Sequence, residues 1–229
     1  MIKKLLEASD GLLRYDHDEL VLEKDEDGQA IKVMHMGQCR NDSDTHRYVL
    51  WRHWGTRKDV KVDMLGMRHN VAAKTVCYVG VNPSTANYKK NDPTVKNLVR
   101  ISKRLGYDGF YLVNLYARRG SDASEAIHKR FNEVEVQDGV DVNSKLCEMS
   151  GGFVNERFVE AYVRAAFQTF LCWGNNASYR DAVHWKHARE KILLQRRAYG
   201  VKSFGLTGKG HYKHPLMLEA DGVKLEAVS

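Results

Sequence analysis

Four short apolar runs of buried-strand length punctuate the chain, and helix-length segments separate them. They are Thr75–Val81, Phe110–Leu115, Thr169–Trp173 and Val201–Leu206. Runs this short, rich in β-branched and aromatic residues, read as strands buried on both faces. Strands joined by helix-length crossovers favour parallel pairing. The fold class expected is α/β, a three-layer α/β/α sandwich around a mainly parallel sheet. Local signals place the helices. Asp92-Pro93-Thr94 is a start, with Asp as N-cap and Pro at the first helical position, and Gly106 is the stop. Val95, Leu98, Val99 and Leu105 form its apolar side. Ser121 or Asp122 caps a second helix, residues 153–168 form an amphipathic third, and a basic helix spans about 178–198. Upstream, Arg47–Gly55 reads as a further strand ending at the glycine.

Composition is compatible with one such domain. The chain has 229 residues, 43% apolar and 28% charged, which is the balance of a folded protein. Its charge is uneven. Residues 1–30 carry four basic and nine acidic side chains, net −5, while the whole chain is +7, so the remainder holds +12. Residues 1–40 read as an acidic N-terminal appendage, a hairpin or extension turning at Asp25-Glu26-Asp27-Gly28, and residues 41–229 as the α/β domain. A basic body suits a polyanion such as nucleic acid, and also a solvated surface with no partner. Cys39, Cys77, Cys147 and Cys172 lie far apart with no C-x-x-C pair, which argues against zinc, iron–sulfur clusters and a disulfide scaffold. No apolar run reaches the roughly 18 residues of a membrane span. The first residues lack a signal-peptide core. A cytoplasmic protein without cofactor or metal is expected.

In sheets of this kind, ligands sit beyond the carboxyl ends of the strands. The segments found there are Gly80–Asn87, Asn114 with Ala117–Gly120, Gly174-Asn175-Asn176, and Thr207–Pro215. All three prolines, at 83, 93 and 215, fall in or beside these segments. A ring-fixed φ suits a loop whose shape is held. Plain strand-to-helix punctuation also accounts for them.

These segments carry a family resemblance. Gly80 to Ala86 with Asp92-Pro93-Thr94, Val113-Asn114-Leu115, Trp173-Gly174, and Gly205 through Gly210 to His214-Pro215-Leu216 resemble, over about residues 44–219, the family catalogued as domain of unknown function 1643. Arg47-Tyr48…Leu50-Trp51-Arg52 is similar to that family's N-terminal segment. More widely, a G-x-N-P loop, a strand-borne asparagine, a strand ending in glycine and a His-Pro pair resemble the uracil-DNA glycosylase superfamily. That wider resemblance implies a fold of uracil-DNA glycosylase type and a nucleobase pocket. It implies that Asn82 orients the water attacking the sugar carbon, that His214 donates to the oxygen of the departing base, and that Asn114 reads the base edge. The chemistry suits the residue types, since an amide holds water without a full charge and a fixed donor stabilises a developing anion. Local accounts stand beside each role: Asn82 capping its own turn, Asn114 bonded to backbone, His214 at the surface or displaced in its role by His211. Ser84 stands where uracil-specific enzymes carry a bulky tyrosine, which implies room for a 5-substituted pyrimidine. Leu216 follows His214-Pro215 where the superfamily has serine, so that serine's phosphate contact is not carried over.

Other residues complete the expected site. Tyr78 and Trp173 either stack on a base or pack in the core. Arg118 and Arg119, Lys213, and the basic helix with Arg196 and Arg197 either contact a nucleic-acid backbone or are solvated. Asp92 is an N-cap or a base near the site. His184 and His187 lie one helical turn apart without a third ligand, so no metal is expected. The function expected is a DNA glycosylase-like N-glycosidase acting on a base in DNA, such as a 5-modified pyrimidine, flipped from its stack. The alternatives are a non-catalytic module that binds modified DNA or a nucleotide, and an enzyme of modified-nucleotide metabolism. DNA or a nucleotide is the expected partner, without a membrane.

Overall fold

A computed structural model describes residues 13–24, 30–54, 60–64, 67–71, 74–120, 152–175, 182–196 and 200–228. The chain opens with a long antiparallel hairpin, β1 (Arg14–Lys24) and β2 (Ala30–Arg40). A short turn leads to β3 (Arg47–His53), antiparallel to β2. Next, β4 (Val60–Met64) and β5 (Met67–Val71) form a separate two-stranded hairpin. Then come β6 (Thr75–Gly80), α1 (Pro93–Arg104), β7 (Gly109–Asn114), α2 (Gly152–Ala165), β8 (Gln168–Leu171), α3 (Ala182–Gln195), β9 (Val201–Ser203) and β10 (Glu226–Val228). Two single turns of 3-10 helix, Pro215–Met217 and Ala220–Gly222, precede β10. Among the described residues, no helix is long and apolar enough to cross a membrane.

Eight strands form one sheet in the order β1-β2-β3-β7-β6-β8-β9-β10. The pairings β7–β6, β6–β8 and β8–β9 are parallel. The other four are antiparallel, so the sheet is mixed and not mainly parallel. Periodicity reports burial but not direction. The turn over 41–46 returns the chain immediately beside β2, and a connection so short forces an antiparallel neighbour. The hairpin expected in the acidic N-terminal stretch is β1–β2, and through β2–β3 it continues the main sheet.

The two faces of the sheet bury separate cores. Val76, Tyr78, Phe110, Leu112 and Phe170 pack with Val95, Leu98 and Ile101 of α1. Their alternating neighbours Cys77, Val79, Tyr111, Val113 and Leu171 pack with Phe158, Tyr162 and Val163 of α2 and Ile192 of α3. All of β6 is buried because neighbours flank both its edges and helices cover both its faces.

α1 begins and ends where its local signals place it. The Asp92 carboxylate accepts from Val95 N at 2.8 Å, Pro93 opens the first turn, and Gly106 adopts φ 73° just past the end. Lys103 and Arg104 face the carbonyl end of the helix. α2 is shorter than the expected 153–168 because Gln168 already pairs with Val76 in β8. Likewise β9 stops at Ser203, before Gly205 at φ 85°. The helix expected after Ser121 or Asp122 lies outside the described residues.

Candidate functional site

The parallel strands end level with one another, since Gly80 of β6 faces Asn114 of β7 and Val79 faces Leu171 of β8. The loops beyond them, with the start of α1 and the 205–218 segment, enclose a cavity of about 670 Å³. Asn82, Ser84, Asn114, Lys213 and His214 all line it, together with Arg47, Asp92 and Trp173. Tyr78, Arg118, Arg119 and Arg196 do not.

Three arginines hold the loop after β6 by its carbonyls. Arg47 Nη1 donates to Ala86 O at 2.5 Å. Arg52 Nη2 donates to Asn87 O at 2.6 Å and its Nε to Asn91 Oδ1 at 2.8 Å. Arg119 Nη1 donates to Ser84 O and Ala86 O, both at 3.1 Å, while its Nη2 reaches Gln38 Oε1 on β2 at 2.8 Å. A polar loop makes few mutual hydrogen bonds, and these fixed donors supply the missing partners. Burial lowers the pKa of all three guanidiniums, Arg47 to about 9 with Arg119 and Arg52 adding repulsion, and Arg52 to about 10. Asp92 opposes both shifts.

Within this frame each polar side chain has a defined orientation. The Asn82 Nδ2 donates to Gly120 O at 3.0 Å and Pro83 O at 3.2 Å. Its Oδ1 is thereby presented as an acceptor. Asn114 is 2% exposed, and its Nδ2 has no hydrogen-bond partner. Its carbonyl is held by Asn155 Nδ2 of α2 at 3.0 Å. Gly80 gives the Asn114 side chain its place, because a Cβ there would come within 2.8 Å of Asn114 Oδ1.

His214 caps the Pro215–Met217 turn, its Nδ1 accepting from Leu216 N at 3.3 Å. An acceptor at Nδ1 puts the proton of the neutral ring on Nε2. Burial lowers the His214 pKa, with Asp92 opposing, so the ring is neutral at pH 7. Gly174 makes room for it. Its φ is 77°, and a Cβ there would lie 2.9 Å from His214 Cβ. Asn97 of α1 donates to Pro215 O at 2.6 Å and Leu218 O at 2.7 Å, fastening the segment that carries His214.

Three expected roles, those of Tyr78, Arg196 and Arg119, are corrected. Tyr78 does not face the cavity: it is fully buried, bonds Ser102 Oγ at 2.8 Å, and packs among Phe110, Phe170 and Phe204. Alternation along β6 turns it into the α1-side core. Arg196 is 2% exposed and donates to Ala166 O at 2.7 Å and Phe167 O at 2.9 Å, sealing the end of α2. Arg119 is the loop clamp described above. Arg118 bridges to His46 by main chain and stands outside the cavity lining. Arg197 and the side chains of His184 and His187 lie outside the described residues. Asp92 is an N-cap with both oxygens engaged, the second by Ala86 N at 3.3 Å. Trp173 is 3% exposed, lines the cavity, and meets Tyr212 edge-on at 5.0 Å. Among the described residues, no group of three His, Cys, Asp or Glu could hold a metal ion.

Sequence reasoning missed Arg47, Arg52, Gln38, Asn97 and Asn155. The two arginines that bracket Tyr48-Val49-Leu50-Trp51 were a signal, since a charge in a strand buried on both faces needs a specific partner.

The model of the family described as protein of unknown function (DUF1643) matches residues 47–216, from Arg47 to Leu216, whose amide donates to His214. No curated protein and no solved structure matches the chain.

Proposed function

From the premise that the chain belongs to the DUF1643 family, we propose that it is an N-glycosidase acting on a nucleobase, with a fold of the uracil-DNA glycosylase type and DNA as the carrier of the base. The observation that carries this reading is the meeting of Asn82, Asn114 and His214 in one cavity at the strand ends. Cleavage of an N-glycosidic bond breaks the bond between the sugar carbon and the base nitrogen. Positive charge builds on the sugar and negative charge on the base. Asn82 Oδ1 accepts a hydrogen bond from the attacking water and so aims its oxygen at the sugar carbon. The water's oxygen bonds to that carbon, and its proton ends on the departing base. His214 Nε2–H donates to a base oxygen as negative charge develops there, a fixed donor in a partly dry site. Asn114 Nδ2 gives the base edge a donor that has no other partner. Ser84 leaves space beside the loop for a 5-substituent.

The direct test is incubation with single- and double-stranded oligonucleotides carrying uracil, 5-hydroxymethyluracil or modified cytosine, followed by detection of abasic sites. Release of one of these bases is expected, and its loss in Asn82→Ala is the control. Folded protein that releases none of them removes the reading. One observation favours chemistry on free nucleotides as a second reading. Arg47, Arg52 and Arg196 are buried inside the fold, so the +12 body displays less cation than its sum suggests. Salt separates the two, because polynucleotide binding falls steeply with salt and mononucleotide binding far less.

A further inference from the structure

We infer that the cavity seats a phosphate group of its ligand against Arg47, the residue at the start of β3. Arg47 is 1% exposed, yet it lines the cavity. Of its guanidinium donors, Nη1 reaches Ala86 O, while Nε is buried without a hydrogen-bond partner. Among the described residues it forms no ion pair. A buried charge is costly unless another charge and a full set of hydrogen bonds compensate it; Asp92 and Asp44 offset part of that cost for Arg47 through space, but no described carboxylate pairs with it and its hydrogen-bond set is incomplete.

The local charge does not repair this. Arg52 and Arg119 bring two more guanidiniums to the same loop. Asp92 is the buried carboxylate that faces them, and its oxygens already accept from Val95 N and Ala86 N. Asp44 pairs with Arg119 and is itself exposed. On the cavity lining itself, Arg47 and Lys213 stand against Asp92, so positive charge remains in excess there. A guanidinium fork with free N–H groups is matched best by the oxygens of a phosphate. The cavity, at about 670 Å³, is in the range that holds a ligand larger than a lone base. Base, sugar and one phosphate fit that scale. The inference rests on the nucleobase reading for the rest of the ligand, but the anion seat stands on Arg47 alone. The phosphate has two sources, the terminal phosphate of a mononucleotide or the backbone phosphate beside a nucleotide in a strand.

Binding to the whole protein tests this in two arms. The first compares thymidine 5′-monophosphate with thymidine. The second compares a single-stranded oligonucleotide with the same strand carrying neutral methylphosphonates beside the target base. In at least one arm, the charged ligand should bind about 10- to 100-fold more tightly than its neutral match, the scale of a charge-assisted contact. Arg47→Met should close that gap, Arg47→Lys should keep part of it, and inorganic phosphate should compete with the charged ligand on wild type. The arm that shows the gap names the source. Equal binding of charged and neutral ligands in both arms, or a gap that survives Arg47→Met, overturns the seat. Should Arg47→Met fail to fold, the wild-type comparison and the phosphate competition still decide. Inorganic phosphate raising the Tm of wild type by more than that of Arg47→Lys, with no base-bearing ligand bound, supports the seat and removes the nucleobase reading instead.

Discussion

At the ends of the parallel strands β6, β7 and β8 stand Asn82, Asn114 and the Trp173-Gly174 pair, all open to the cavity. The antiparallel flank of β1, β2 and β3 sends Gln38, Arg47 and Arg52 toward the same region, but chiefly to carbonyls and to another side chain. One part of the sheet presents groups that keep spare hydrogen-bonding capacity. The other spends its capacity on the shape of the loop, the unpartnered Nε of Arg47 excepted. Asn114 and Arg52 make the contrast concrete. Both are buried polar residues on strands, yet the amide nitrogen of Asn114 has no partner while Arg52 holds Asn87 O, Asn91 Oδ1 and Trp51 O. Unused capacity in a buried group costs stability and is therefore informative about ligands.

If this division is right, changes at the centre cost activity before stability, and changes on the flank do the reverse. The largest effect is expected for His214→Ala, a loss of about 10²- to 10³-fold in kcat with the Tm little moved, read from single-turnover base release. Asn114→Ala should act mainly on KM. On the flank, Arg52→Met should cost about 2–3 kcal/mol in urea unfolding, because two loop acceptors lose their donors. A variant that left stability intact and abolished activity would erase the distinction. Gly174→Ala joins the two sides, since it strains a φ of 77° and presses on His214. It should cost about 1–3 kcal/mol and lower kcat together.

A smaller effect follows from pH. His214 has its folded pKa below the ordinary histidine value, so the unfolded chain binds its proton first as pH falls. Its contribution to stability is complete above about 6.5, the ordinary histidine value. It declines below that as the folded pKa is approached. His214→Gln should flatten that part of the unfolding profile. The smallest effect is at the cavity mouth. Lys213→Ala, removing an exposed cation, should weaken oligonucleotide binding by less than about 1 kcal/mol and reduce the salt slope by roughly one contact.

Part of the site was legible because its residues stand next to local punctuation. Asn82 precedes Pro83 at the end of an apolar run, Asn114 ends another, and His214 precedes Pro215. The roles of the arginines were not legible. Arg119 and Arg196 read as surface cations because charge and spacing say nothing of which carbonyls lie within reach. Tyr78 was misplaced for a related reason: it shares a face with Leu98 and Leu112 of the cavity lining, but it stands two residues short of the strand end, where Phe110, Phe170 and Phe204 surround it, and alternation does not report that depth.

By itself, the sequence determined the alternation of strands and helices, the boundaries of α1 through Asp92, Pro93 and Gly106, and the polar loops at the strand ends. These depend on neighbours a few residues apart. Only the tertiary structure decided that β3 runs antiparallel beside β7, that the N-terminal hairpin extends the main sheet, and that Arg47 is buried at the cavity without a described carboxylate paired to it. Those outcomes depend on segments distant along the chain, such as Arg47 and Ala86, and local pattern holds no record of which distant acceptors the fold brings to a given donor.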